Sequence, residues 1–402
     1  MKSRFGVSVL LIFAQATTCF AQASQARQWL TAYYSLWSVP ILYPEEIDFS
    51  HMTHVVHFSA NPTKTYPYLD VLVPAKPGKF NQDSVNIEWG GVYNGNNPPL
   101  WRTVNIQKTL IDRAHQSGAK VLLSLGGVHG PGAAAMSFIA SDPSRREVFV
   151  SSACDYALRK GYDGLELDWE FPRADERGSF AALIRLFRDR LDKWPRRGVL
   201  AIAVNHSPFR TLGYDAQAMN EAFDQINLMT YEMFWGDYRN VKTGFNTPLE
   251  IPDKYDGYSG YALEQAGIGA KAWISFGVQP HKIGLGISFL TTEFIGVREP
   301  VEPGKPFKSR RWGYLRDVPS QGRYWDDKAQ APWCVVGDKM ITYEDAASVR
   351  KKVEYAKKIP LGGVMIFDLL GGYLPSEKKG KRDALLQAAS ASVFGGSGVR
   401  TP

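Results

Sequence analysis

The chain has 402 residues, 44% of them hydrophobic and 22% charged, with a formal net charge of +7 at pH 7. That balance belongs to a soluble globular protein and excludes a disordered, collagenous or membrane-embedded one. The length admits two or three ordinary domains or one large α/β barrel with long loops, and the positive charges are scattered. Their one cluster, Lys378, Lys379, Lys381 and Arg382, reads as a solvated face and not as a nucleic-acid surface.

Lys2 and Arg4 precede an apolar run from Phe5 to Phe13, and small residues follow at Ala21 and Ala23. This is the layout of a secretory signal peptide over residues 1–23, cleaved near Ala21 or Ala23, and it predicts an extracellular or periplasmic protein. The run is shorter than the roughly 20 residues of a membrane span, and no later segment reaches that length without charges or glycines. Ala16, Thr17 and Thr18 before Cys19 do not resemble a lipoprotein signal, so no lipid anchor is expected. With no Pro- or Ser-rich linker and no solenoid repeat, residues 24–393 read as one catalytic barrel, with 394–402 as a tail. Past the leader only Cys154 and Cys334 remain, too few for a disulfide framework; they read as two buried thiols, with a disulfide as the alternative.

Short β-branched and apolar runs recur, each followed by a segment of helical period, which is the mark of parallel βα units. The predicted strands are Trp29 to Tyr34, His54 to Ala60, Lys120 to Leu125, Asp163 to Glu170, Val199 to Asn205, Gln225 to Tyr231, Lys282 to Ile287 and Gly363 to Phe367. Eight such units close an α/β fold of the (β/α)8 TIM-barrel type with long βα loops. Phe180, Leu183, Ile184, Phe187 and Leu191 mark one intervening helix, and Val349, Val353 and Ala356 another. Two long segments, Asn61 to Val104 and Leu290 to Pro360, follow strands and so belong to the barrel face where active sites sit.

The segment from Tyr162 to Pro172 reads YDGLELDWEFP. Side chains alternate along a strand, so Glu166, Asp168 and Glu170 share one face while Leu165, Leu167 and Trp169 share the other. In a barrel the apolar face meets the helices and the carboxylates point inward, where like charges in a low dielectric raise one another's pKa at a cost in stability. A solvated edge strand does not fit the fourth position in a series of parallel strands, which are buried on both faces. No aspartate-rich loop or histidine partner accompanies the carboxylates to make a metal site. His51, His54 and His57 are spaced by three, which alternates faces on a strand, so they do not converge on a metal either. Gly126 and Gly127 lack the surroundings of a phosphate loop and are expected to give backbone room at the barrel mouth, and Ser124 lacks triad partners.

The stripe resembles the signature D-x-x-D-x-D-x-E of glycoside hydrolase family 18, the chitinases and their relatives, with Asp163, Glu166, Asp168 and Glu170 at its positions and one departure at Glu166. Leu123 to Gly127 is similar to the family's S-x-G-G on strand three, Met229 to Glu232 to its M-x-Y-D on strand six, and Gly362 to Phe367 to its G-G-x-M-x-W on strand eight. The resemblance implies that Glu170 is the general acid and base and that the substrate's own acetamido oxygen is the nucleophile. It makes Asp168 the acceptor of the acetamido N–H, Tyr231 its holder, and Glu166 the partner that shares a proton with Asp168. Substrate contacts are expected from Tyr33, Phe58, Asp163, Met229, Glu232, Trp235 and Phe367. Phe367 stands at the family's tryptophan position, Glu232 at its aspartate position, Phe171 at a common tyrosine position, and Val128 and His129 replace a tryptophan that many relatives carry.

The resemblance thus implies a secreted chitinase that hydrolyses β-1,4 bonds between N-acetylglucosamine units with retention. The alternatives are an endo-β-N-acetylglucosaminidase acting on N-glycans or peptidoglycan, and a chitin-binding lectin without hydrolysis. No cofactor and no metal are implied, and the expected partner is chitin or another N-acetylglucosamine glycan, not nucleic acid or a membrane, bound by a monomer. Leu290 to Pro360 is short for the α+β lobe that some relatives carry, so the insertion between strands seven and eight is expected to be short or rudimentary and the groove shallow.

Overall fold

The computed structural model describes residues 28–39, 41–65, 69–70, 84–85, 92–93, 105–127, 132–233, 242–250 and 266–395. The expected leader at residues 1–23, Val128, His129, Trp235 and most of the Asn61 to Val104 segment lie outside the described residues.

All eight predicted strands form. They are β1 (Trp29–Ser35), β2 (His54–Pro62), β3 (Lys120–Gly126), β4 (Gly164–Asp168), β5 (Val199–Asn205), β6 (Gln225–Met229), β7 (Ile283–Ser288) and, last in the chain, β13 (Gly363–Phe367). Each pairs in parallel with its neighbours, and β13 pairs with both β7 and β1, which closes an eight-stranded barrel. Helices α1 (Ile106–Gln116), α2 (Gly132–Ala140), α3 (Pro143–Lys160), α4 (Arg177–Leu191), α5 (Ala216–Ala222), α6 (Ala266–Ser275), α7 (Ala346–Lys358) and α8 (Ala384–Phe394) lie in the connections.

The apolar patterns do what their periods require. In α4 the predicted stripe of Phe180, Leu183, Ile184, Phe187 and Leu191 is wholly buried, as are Leu165, Leu167 and Trp169 on the outer face of β4. Trp169 meets Phe180 with ring centroids 6.1 Å apart, so strand and helix share one core. Burying each such side chain stabilises the fold by about 1.5–3 kcal/mol. Helix α7 starts where the Asp345 carboxylate accepts from the amides of Ala347 and Ser348, both at 2.8 Å, and α3 stops at Gly161, whose φ of 90° is left-handed.

The inner face is polar toward the base of the barrel, where the Thr31 hydroxyl donates to Gln225 Oε1 at 2.7 Å and His54 meets Gln225 Nε2 at 3.1 Å. His57 is buried on the opposite face against the Tyr162 hydroxyl, so the histidines diverge. Cys154 in α3 and Cys334 are both buried free thiols.

The stretch after β7 corrects one expectation. It is not rudimentary: it folds into a five-stranded antiparallel sheet of β8 (Leu290–Ile295), β9 (Ser309–Tyr314), β10 (Arg323–Asp326), β11 (Ala331–Val336) and β12 (Lys339–Thr342), in the order β9-β8-β12-β11-β10. A lobe fits because its strands have only four to six residues and its last two connections, 327–330 and 337–338, are tight turns. The turn from β11 to β12 is Gly337-Asp338, with Gly337 at a φ of 59°, the two-residue hairpin signal that length alone concealed.

Candidate active site

Glu166 and Asp168 stand on the inner face of β4, 0% and 4% exposed, and Glu170 follows two residues beyond the strand end. Register sets Glu166 beside Ser124 of β3 and Ala201 of β5, and Asp168 beside Gly126. Glu166 Oε1 accepts from the Tyr33 hydroxyl at 3.1 Å and from the Ala203 amide at 2.9 Å. Glu166 Oε2 and Asp168 Oδ1 are buried without a hydrogen-bond partner. Gly126, at a φ of 123°, packs so close to Asp168 that a Cβ would lie 2.2 Å from its carbonyl oxygen. The glycine pair therefore gives backbone room where the sequence placed it.

Proton affinity follows from this burial. Desolvation pushes Glu166 up to about 7, opposed by the polar contacts of Ser124, Tyr33 and the Ala203 amide. Asp168 is raised well above its ordinary value by burial and then by the charges of Glu170 and Glu166. Glu170 is pushed up to about 7 by burial, then by Glu232 and Glu166. These carboxylates behave as one cluster whose protons belong to the set, and near neutrality it retains protons that isolated carboxylates lose. Burial and the same acids raise Tyr33 and Tyr231 well above 10, so both phenols remain hydrogen-bond donors.

An aromatic floor lies across the mouth from β4. Phe367, at the end of β13, stacks on Tyr231 at 5.6 Å and 16°, and meets Tyr33 edge-on at 5.5 Å and Phe58 at 5.9 Å. Trp37, which sequence reasoning passed over, packs edge-on against Phe58 at 5.7 Å. It sits in the turn after β1, outside any periodic pattern, and only its place next to a strand end marks it. Met229 packs against this cluster from β6.

Glu232 enters from the segment after β6 with its backbone at a φ of 56°, a left-handed conformation that costs a residue with a side chain about 1–3 kcal/mol. Its amide donates to Asn246 Oδ1 at 2.9 Å, and Asn246 Nδ2 donates to the Leu290 carbonyl at 3.2 Å. Asn246 thus ties the site to the root of the inserted sheet. Burial pushes the Glu232 carboxyl up to about 7, and the Arg310 charge on β9 opposes this. Neither Asn246 nor Arg310 carries a sequence signal: Asn246 lies in the irregular segment after β6, and Arg310 comes near the site only through the lobe's placement.

The structure therefore brings together Glu166, Asp168, Glu170, Tyr231, Glu232, Tyr33, Phe58, Met229 and Phe367. Asp163 is not among them. It precedes β4 at the opposite end of the barrel, where its carboxylate accepts from the Val121 amide and meets His115 Nε2, both at 2.8 Å. Its position in the motif is met by joining strand and helix, since Asp163 lies five residues of extended chain away from Asp168. Phe171 packs half-buried against the core, and Trp235 is outside the described residues. Among the described residues no group of three or more His, Cys, Asp or Glu side chains is placed to hold a metal ion.

The family described as Glycosyl hydrolases family 18 matches residues 30–371, and the chain belongs to it. A probable endochitinase of Caenorhabditis elegans is 28% identical over 276 residues, covering 62% of this chain and 43% of that protein. Probable chitinase 10 of Drosophila melanogaster is 28% identical over 293 residues, covering 63% of this chain and 12% of that one, so the chain spans less than half of either relative. The fold is shared with catalytic domain 2 of the Group II chitinase of Ostrinia furnacalis, at a TM-score of 0.74 and 23% identity, covering 94% of this chain and 98% of that one.

Proposed function

We propose that the protein is a chitinase that hydrolyses β-1,4 bonds between N-acetylglucosamine units with retention of configuration. The observation that carries this reading is the inward stripe of Glu166, Asp168 and Glu170 at the barrel mouth, with Glu170 holding its proton up to about 7. The names of the curated relatives support the substrate class.

Protonated Glu170 gives its proton to the glycosidic oxygen as that bond breaks. The carbonyl oxygen of the sugar's acetamido group closes on the anomeric carbon, which leaves a cyclic oxazolinium ion and an ionised Glu170. Asp168 accepts the acetamido N–H and balances the positive charge, while Tyr231 donates a hydrogen bond that keeps the acetamido group in line. Glu170 then takes a proton from water, whose oxygen attacks the anomeric carbon and reopens the ring. Glu166, fixed by Tyr33 and Ala203 at one oxygen and open at the other, takes the proton that Asp168 gives up as it ionises and returns it when the oxazolinium is hydrolysed. Phe367 and Trp37 offer apolar ring faces to the sugar. The leader at residues 1–23 directs this chemistry outside the cytoplasm, and one chain supplies every residue named.

The test is product analysis with N-acetylglucosamine oligomers and, separately, an N-glycoprotein, using the unaltered chain and Glu170→Gln. Cleavage of oligomers that the variant loses is the expected result. Release of glycan alone moves the protein to the endo-β-N-acetylglucosaminidases, and binding without cleavage makes it a lectin.

A further inference from the structure

The inserted sheet turns one face toward the site, and its register identifies that face. Residues opposite one another in an antiparallel ladder lie on the same side. The pairs Trp312 with Thr292, Thr292 with Thr342, Thr342 with Trp333 and Trp333 with Tyr324 therefore form a single row across all five strands. The middle of that row meets the barrel: the Thr342 hydroxyl accepts from the Asn246 amide at 3.3 Å, and Trp333 packs beside Met233 and Phe245. Asn246 is the residue whose side chain holds the Glu232 amide.

Trp312 lies at the end of this row, on the edge strand β9, between two fixed points. Arg310, two residues before it on the same face, is the lobe's charge that acts on Glu232. Just past the other end of the strand, the Leu315 amide donates to the Gly371 carbonyl at 2.9 Å, and Gly371 in turn donates to Asp368, the residue after Phe367. Trp312 is thus carried along the rim that runs from the loop after β13 to the Glu232 segment, at about 7 Å of strand from each neighbour on its face. It is 46% exposed, while Thr292 and Thr342 in the same row are buried by the barrel.

We propose that Trp312 is a platform for a sugar unit of the N-acetylglucosamine chain beyond the unit held at Asp168 and Tyr231, and so sets the preference of the enzyme for long chains. This rests on the proposed hydrolase reading of the site. An indole presents a broad apolar face that complements the C–H face of a pyranose, and a half-exposed ring on a rigid edge strand loses little entropy on stacking. The Phe367 floor serves the reacting unit in the barrel, and Trp312 on the lobe extends the contact surface outward. The contact is made in the ground state as in the transition state, so it acts on KM for substrates long enough to reach it and leaves kcat in place.

The experiment compares the unaltered chain, Trp312→Ala and Trp312→Phe on N-acetylglucosamine oligomers of increasing length from the trimer to the hexamer, with a melting curve for each protein. The expected result for Trp312→Ala is a KM raised roughly three- to tenfold for the long oligomers, with kcat and the trimer unchanged and Trp312→Phe restoring most of the loss. An equal effect at every length, or none, in a variant that melts like the unaltered chain overturns the platform while leaving the hydrolase reading intact. Failure of the unaltered chain to cleave or bind any oligomer overturns both.

Discussion

Glu344, ahead of α7, and Glu166, in the barrel, are both buried carboxylates, at 2% and 0% exposure, yet their surroundings differ. Glu344 accepts from Lys352 Nζ at 2.8 Å and from the Ser348 hydroxyl at 2.5 Å, so a fully buried cation and a hydroxyl answer its charge. Glu166 is answered by a phenol and an amide at one oxygen only, and its neighbours along the strand are two more acids. The first arrangement ties the end of the inserted sheet to the first turns of α7. The second keeps protons available and retains a cost in stability at the place of the proposed chemistry.

Glu170→Gln is expected to lower kcat on oligomers by about 10²–10⁴-fold with no loss in melting temperature, because an amide relieves the charge repulsion of the cluster. A parallel loss of stability would place Glu170 with the structural acids. On the other side, Lys352→Met leaves Glu344 buried without its cation and is expected to cost about 3–5 kcal/mol in denaturant unfolding, with kcat per folded molecule preserved.

The pH dependence sharpens the contrast. Glu166, Glu170 and Glu232 each rise from 4.5 to about 7, so between those values the folded chain binds more protons than the unfolded one. Their contribution is therefore most favourable below about pH 4.5 and is lost as the pH rises to about 7. Glu232→Gln should flatten the slope of stability against pH in that window, measured by unfolding at a series of pH values. For activity, kcat/KM should fall as the pH rises through about 7, where Glu170 gives up the proton it must donate. The smallest effect belongs to Asp163→Asn, which weakens the hydrogen bonds to His115 and the Val121 amide far from the mouth: about 1 kcal/mol of stability, and an unchanged kcat/KM for oligomers.

Much of the barrel and its acidic stripe was legible in the sequence because both rest on local periods. Alternation over Leu165 to Glu170 separates the acids from Leu165, Leu167 and Trp169, and the helical spacing of Phe180 to Leu191 finds the face that covers them. The lobe is hard to read from the sequence because strands of four to six residues carry little alternation, and only the hairpin at Gly337-Asp338 leaves a local signal. Asp163 shares a motif with the three inward acids but sits at the other end of the strand, since a motif orders residues along a chain and a strand spreads them through space.

The amino-acid sequence by itself determined which strands form, which faces are apolar and which three carboxylates point together, because each depends on neighbours two to four residues apart. The tertiary structure alone sets Asn246 and Arg310 near Glu232, Trp37 against the aromatic floor and Trp312 half exposed on the lobe's edge strand. Those contacts join segments that no local period relates: barrel closure sets Trp37 beside Phe58, the folding of the segment after β6 sets Asn246 on Glu232, and the packing of the inserted sheet brings in Arg310.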